Sequence, residues 1–267
     1  MAGLTLSAAR AGSVAGWVWC HDGLVRDGER TARQYDAMGA AYGTGTQEGS
    51  FNAYYERPAT IALLGDVKGL RVLEAGCGPG VLTDWLAGNG AAVTALDVSP
   101  EMARLARDRV GERARIVVAD LSEPLTFAAD ASADLVVASL VLHYLADWAG
   151  PLAEFHRVLA PRGAVVFSTH HPAMDWQLHS PADYFAVKQV TETWTRDGRS
   201  FDVTFWRRPL TAMTEAISGA GFVIDRLVEP APAAGLRQRD PESHGKIAMS
   251  PRFLFFCLVK RGFIPNA

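Results

Sequence analysis

The 267-residue chain has three cysteines, Cys20, Cys77 and Cys257, and none falls at a metal-ligand spacing. That argues against a disulfide framework or a cysteine metal site, and a reduced, cytoplasmic protein is the expectation. Charge of one sign is also lacking. Twenty-six basic residues face 29 acidic ones, for a net charge of −3 and a pI of about 6.2. No basic footprint for nucleic acid results; the pairs Arg207-Arg208 and Lys260-Arg261 read as solvated surface. No apolar run reaches the ~20 residues that span a bilayer, so no membrane partner is expected. Residues 11–20 are apolar, but Trp17, Trp19 and Cys20 make a poor cleavage site, and no signal peptide is read. Internal repeats and low-complexity segments are missing too.

What is present is a globular composition: 49% hydrophobic residues and a mean hydropathy of +0.05. The length suits one α/β domain carrying an insertion or a small cap. Residues 1–30 fit no clear element and read as an N-terminal arm, mobile or folded over a site. From 31 to 55, aromatic and polar residues alternate, with Tyr35, Tyr42, Asn52, Tyr54 and Tyr55 among them. Pro58 suits the first turn of a helix to residue 64. Strands then alternate with helices, the pattern of a parallel sheet with crossover helices. Strands are predicted at 70–75, 92–96, 115–119, 133–139 and 164–168, with helices at 81–87 and 100–110. Ser99 is the natural cap of the second helix, with Pro100 at its first position. Trp148, Leu152, Phe155 and Leu159 recur at helical spacing, and Pro161-Arg162-Gly163 turns the chain into the fifth strand.

Residues 172–208 break this rhythm. They hold Trp176, Tyr184, Phe185, Trp194, Phe201, Phe205 and Trp206, and read as an inserted, partly β cap. A helix from 210 to 220, a sixth strand from 221 and a last strand at 253–259 complete the domain of residues 31–267. The polar, proline-containing stretch 230–251 reads as a loop, at the mouth of a site or at a subunit contact.

The segment with the most chemical content is Val72-Leu73-Glu74-Ala75-Gly76-Cys77-Gly78-Pro79-Gly80, followed at Leu96-Asp97-Val98-Ser99-Pro100 by an acidic residue ending the next strand. Glycines let backbone approach a small cofactor closely, and a carboxylate at the second strand's end can hold ribose hydroxyls. Dinucleotide-binding enzymes use a related turn with Gly-x-Gly-x-x-Gly spacing; here the spacing is Gly-x-Gly-x-Gly.

That form, with Glu74 ahead of it and Asp97 behind, resembles the class I S-adenosylmethionine-dependent methyltransferases over roughly residues 30–260. The resemblance implies an α/β, doubly wound, mostly parallel seven-stranded sheet, with the last strand antiparallel beside the fifth. It implies S-adenosylmethionine as cofactor. In it Glu74 orients the methionine end, and Gly76, Gly78 and Gly80 form the turn. Asp97 takes the ribose hydroxyls and Val98 flanks the adenine. Asp120 and Leu121 match the adenine-binding pair, although Asp120 also suits the cap of a local turn. Ser139 offers its backbone to the methionine portion. Tyr35, Tyr42, Tyr54 and Tyr55 can face the sulfonium by cation–π attraction or simply pack; Tyr42 is singled out.

Methyl transfer needs alignment and exclusion of water, and an oxygen or carbon nucleophile commonly needs a base. His143, in Leu142-His143-Tyr144, and His171, in His170-His171-Pro172, follow the fourth and fifth strands. His171, or else His143, is the candidate base; both also admit structural roles. The fourth-strand segment lacks the Asn/Asp-Pro-Pro-Tyr/Phe pattern of amino-group methyltransferases acting on DNA and some proteins. The segments 175–185, 192–194 and 207–222 resemble a broad bacterial branch of the family taken to act on small metabolites. An aromatic-rich cap suits an apolar or aromatic small molecule, and is also ordinary core composition. The expected protein is a monomer or homodimer acting on a small-molecule substrate without a metal. A non-catalytic S-adenosylmethionine-binding regulator and a nicotinamide-dependent oxidoreductase are the alternatives.

Overall fold

A computed structural model describes residues 26–179 and 183–262. Seven strands make one sheet in the order β3-β2-β1-β4-β5-β9-β8. They are β1 (Arg71–Ala75), β2 (Ala92–Asp97), β3 (Ala114–Val118), β4 (Ala133–Ser139), β5 (Leu159–His170), β8 (Phe222–Val228) and β9 (Phe253–Lys260). Pairing is parallel from β3 to β5, and β9 runs antiparallel to both β5 and β8. This is the doubly wound, mostly parallel α/β sheet expected, with its last strand inserted antiparallel beside the fifth.

The two faces follow from the strand period of two. Leu73, Val136 and Ala138 join one core with Trp148, Leu152 and Phe155 of the α5 segment (α5, Ala149–Val158) and with Met213 and Ile217 of α7 (Leu210–Gly219). Val72, Leu135 and Val137 point the other way, toward Leu82 and Leu86 of α3 (Val81–Gly88) and Ala106 of α4 (Pro100–Val110). Ser99 caps α4 as its sequence position suggests, accepting from Met102 N at 3.1 Å. The Pro161-Arg162-Gly163 turn lies inside β5, where pairing passes from Ala133↔Leu159 to Leu135↔Ala164.

Three regions go beyond the sequence reading. Residues 31–55, read as alternating aromatic and polar, lie in α1 (Asp27–Glu48) and in a π-helical turn, Asn52–Glu56, that runs into α2 (Arg57–Leu64). α1 begins within the stretch read as an arm, so residues 27–30 are part of the domain. Asp27 is fixed there by Trp206 Nε1 at 3.0 Å and Ala146 N at 2.7 Å. The rest of that stretch, 1–25, lies outside the described residues. Residues 172–208 form α6 (Pro172–Leu178) and a two-stranded sheet of β6 (Lys188–Arg196) with β7 (Arg199–Arg207). The stretch 230–251 is not simply loop: it holds α8 (Leu236–Arg239) and α9 (Pro241–Met249). Leu236 and Ile247 bury against Tyr55, Phe253 and Phe255. Among the described residues no helix is long and apolar enough to cross a membrane.

Candidate active site

The strand order reverses between β1 and β4, and a crevice opens outside the carboxyl ends of strands flanking such a point. A cavity of about 1000 Å³, counting its open mouth, lies there. Gly76 and Cys77 hang from Leu96 O by backbone bonds of 2.8 and 2.9 Å, which ties the glycine turn to the end of β2. Gly76, Gly78 and Gly80 all have positive φ. Their surroundings differ. A Cβ on Gly76 would stand 2.5 Å from Val141, and one on Gly80 2.9 Å from Ala106, but one on Gly78 would meet nothing within 4 Å. Gly76 and Gly80 are thus glycine for packing, while Gly78 presents bare backbone to open space.

Asp97 is 8% exposed. Its Oδ2 accepts from Gly78 N at 2.8 Å and its Oδ1 from Ser99 N at 2.9 Å. A carboxylate has about four acceptor positions, so two remain for a ligand's hydroxyls. Burial pushes its pKa up to about 6, against the opposing pull of those amide bonds. Glu74, 2% exposed, is pushed by burial up to about 8. Its Oε2 and Ser139 Oγ are buried without hydrogen-bond partners among the described residues. Both residues line the cavity.

Val98, Asp120, Leu121 and Tyr42 line the same cavity, so every residue the sequence singles out for cofactor contact, apart from Gly80 behind the turn, is on its wall. Asp120 does cap a local turn: Oδ1 accepts from Ser122 N at 2.8 Å. Its Oδ2 faces α1, where a Cβ on Gly28 would lie 1.8 Å away. Gly28 is therefore a wall residue that the sequence reading placed in an arm. Asn52, Glu56 and Arg57 are further wall residues not singled out; the π-helical turn that directs Asn52 and Glu56 has no signature in composition. Leu140 is another, held at φ 50 just after β4. That conformation is rare for a branched side chain, and it is pinned by Leu140 N donating to Ser168 Oγ at 3.0 Å.

A second cavity adjoins the first. Tyr35, Tyr42, Asn52, Leu140 and Tyr144 line both. Tyr35 and Tyr144 share a 2.6 Å hydroxyl bond, and Tyr42 meets Tyr35 edge-on at 4.8 Å. His143 lines this second cavity and is 2% exposed. Burial holds its pKa well below the usual histidine value, so the ring is uncharged at neutral pH. His171 lines neither cavity. Its Nε2 lies 2.6 Å from Glu229 Oε1, and its backbone N donates to Arg252 O at 3.0 Å. The preceding residue, His170, is the one that faces the cavity.

The profile of the family described as "Methyltransferase domain" matches residues 73–167. A Salmonella typhimurium protein named malonyl-[acyl-carrier protein] O-methyltransferase is 34% identical over 203 residues, 69% of this chain and 79% of that protein. The chain belongs to the class I S-adenosylmethionine-dependent methyltransferases. A Pseudescherichia vulneris protein of the same name is 38% identical over 136 residues, and there the match spans about half of each chain, 50% of this one and 53% of that one. The crystal structure of an S-adenosylmethionine-dependent methyltransferase from Mesorhizobium loti superposes with a TM-score of 0.62 at 27% identity, covering 80% of this chain and 99% of that one.

S-adenosylmethionine, the cofactor of this family, fits the first cavity as built. Gly78 leaves room for close backbone approach. The unpartnered Glu74 oxygen can receive a cationic amino group, and Asp97 has acceptor capacity to spare. The rings of Tyr35, Tyr42 and Tyr144 stand where the two cavities meet.

Proposed function

We propose that this chain transfers a methyl group from S-adenosylmethionine to a small apolar or aromatic metabolite by direct displacement. The observation that carries this reading is the junction of the cavities: five residues are common to both walls. A donor in the first cavity and an acceptor in the second would meet there. When bound, the cofactor supplies an electrophilic methyl carbon whose bond to sulfur breaks with both electrons remaining on sulfur. The chain's part is to align the acceptor and exclude water.

In this reading Asp97 holds the ribose hydroxyls, Val98, Asp120 and Leu121 the adenine, and Glu74 and Ser139 the methionine end. Gly76, Gly78 and Gly80 shape the turn beneath it, and Tyr42 closes over the sulfur. In the same reading His143, on the second cavity's wall, contacts the acceptor. His171, turned toward Glu229, secures the chain between β5 and α6.

The test is calorimetric titration with S-adenosylmethionine and S-adenosylhomocysteine, followed by methyl-labelled cofactor incubated with small-metabolite pools. Micromolar binding, lost in Asp97→Ala, and label entering a small molecule are expected. A folded protein that binds neither compound would refute the reading.

A second reading takes its acceptor from the relatives' name, an acyl group on a carrier protein. The Arg252 guanidinium favours it. This group lies on the second cavity's wall, 5.8 Å from the centre of the Phe51 ring, with no ion pair among the described residues. Label entering a malonyl thioester rather than free metabolites would decide for it.

A further inference from the structure

We propose that His170, steered by Asp175, takes the proton from a weakly acidic hydroxyl of the substrate, a phenol or an enol, as that oxygen receives the methyl group. The inference rests on the methyl-transfer reading above and assigns its base and its substrate class.

The geometry begins with the strand. His170 ends β5 and faces the second cavity, while His171, extended and immediately before α6, turns its ring toward Glu229. α6 starts at Pro172, and its first turn brings Asp175 back beside the strand end. Asp175, 7% exposed, places Oδ1 3.4 Å from His170 Nδ1, a buried nitrogen that makes no hydrogen bond among the described residues. Catalytic contacts are often this long before substrate is bound. The His170 ring is held on other sides as well. His143 stacks on it at 3.9 Å with 17° between planes, and Phe205 of β7 meets it edge-on at 4.6 Å.

A ring proton on Nδ1 would face that carboxylate and leave the lone pair on Nε2. No hydrogen bond engages Nε2 among the described residues. The ionisable groups around the ring are His143 after β4, Asp175 of α6, Glu192 and Arg196 of β6, and Arg252 before β9. Glu192 is committed elsewhere: Oε1 lies 2.6 Å from His179 Nε2, and Oε2 accepts from Trp194 Nε1 at 2.9 Å. Of the groups facing the cavity, His170 is the one combining a carboxylate behind it with an unengaged nitrogen.

That arrangement selects a substrate. A carboxylate acceptor is already ionised at neutral pH and gains nothing from a base. A phenol or enol keeps its proton until attack and gains much. Phe51, Trp194 and Phe253 on the cavity wall suit the flat, apolar body of such a molecule. In the step itself the hydroxyl oxygen forms the bond to the methyl carbon. The O–H electron pair stays on oxygen, the carbon–sulfur pair stays on sulfur, and the proton goes to His170 Nε2 and then to water.

The experiment uses the full chain with ¹⁵N-labelled histidine, loaded with S-adenosylhomocysteine, and reads the ring nitrogens by NMR. The expected His170 carries its ring proton on Nδ1, and Asp175→Asn disturbs that tautomer. A proton on Nε2 would overturn the proposal. As a second probe, 4-nitrophenol added to the loaded protein should show an increased phenolate absorbance that is lost in His170→Gln. An equal band in the variant would overturn it, as would undiminished label transfer to a malonyl thioester by His170→Gln. Calorimetry separates this failure from failure of the underlying reading: His170→Gln should bind S-adenosylhomocysteine within about twofold of wild type, whereas a wild type that does not bind it refutes methyl transfer altogether.

Discussion

Adding one methyl group tells the glycines of the β1–α3 turn apart. At Gly78 the new Cβ would enter open space, whereas at Gly76 it would strike Val141 at 2.5 Å. Gly78→Ala should therefore fold with a modest loss, about 1 kcal/mol for a positive-φ alanine, and lose at least ~10-fold in cofactor affinity, since 1.4 kcal/mol of lost contact suffices. Gly76→Ala should lower the melting temperature more. Calorimetry and thermal unfolding on both variants check the contrast. Glu74 makes a pH-dependent prediction. Its folded pKa, about 8, lies above its unfolded value, so the carboxyl favours the folded state below about pH 4.3. That contribution is lost as pH rises through 8. Glu74→Gln should thus stabilise the cofactor-free protein at pH 8–9 by a few kcal/mol at most, show no gain near pH 4, and weaken cofactor binding. Denaturant titrations at the two pH values measure the sign.

α1 acts as a strap across the first cavity, and its attachments are polar. Asp36 Oδ1 accepts from Ser99 Oγ at 2.5 Å and from Glu101 N at 3.2 Å, joining the strap to the start of α4. Asp27 is bound by Trp206 and Ala146. Past Met38 the helix kinks at Gly39, φ 47. Each attachment is worth about 1 kcal/mol, so Asp36→Ala should raise local opening of residues 27–38 about 5- to 30-fold while global stability falls little. Amide hydrogen exchange reads this directly; unchanged exchange would show the strap is held by its buried side chains instead. This element was poorly legible in sequence. Its interior carries Gly28, Gly39 and Gly43, which weaken a helical reading, and its role depends on partners 60 to 180 residues away along the chain.

At the scale of the whole molecule, the β5–β9 pair carries a stacked aromatic core. Phe167 and Phe256 stack at 4.7 Å, and Phe167 meets Trp148 edge-on at 5.7 Å. All three are essentially solvent-free. Phe256→Ala should cost about 3–5 kcal/mol, seen as a lower denaturant midpoint with an unchanged slope if the sheet unfolds as one unit. Because β9 is the strand next to β5, whose end carries His170, such a loss should also weaken acceptor turnover more than cofactor binding, which the proposed reading assigns to the ends of β1, β2 and β4.

The alternation of strands and helices, the glycine turn and the acidic residue closing β2 are local patterns. Backbone sterics, strand period and turn chemistry act over a few residues, so the local pattern alone determined the alternating strands and helices, the glycine turn with Gly76 and Gly78, and Asp97 closing β2; the antiparallel last strand and the pairing of Asp120 with Leu121 were legible only through the family resemblance. Tertiary structure decided what depends on distant segments meeting. It turned His170 rather than His171 toward the second cavity, because the phase of β5 depends on pairing with β4 and β9. It set Asp175 beside that ring, brought Gly28 against Asp120, and folded 230–251 into helices through Leu236 and Ile247, two apolar anchors whose buried partners lie in the π-helical turn and β9.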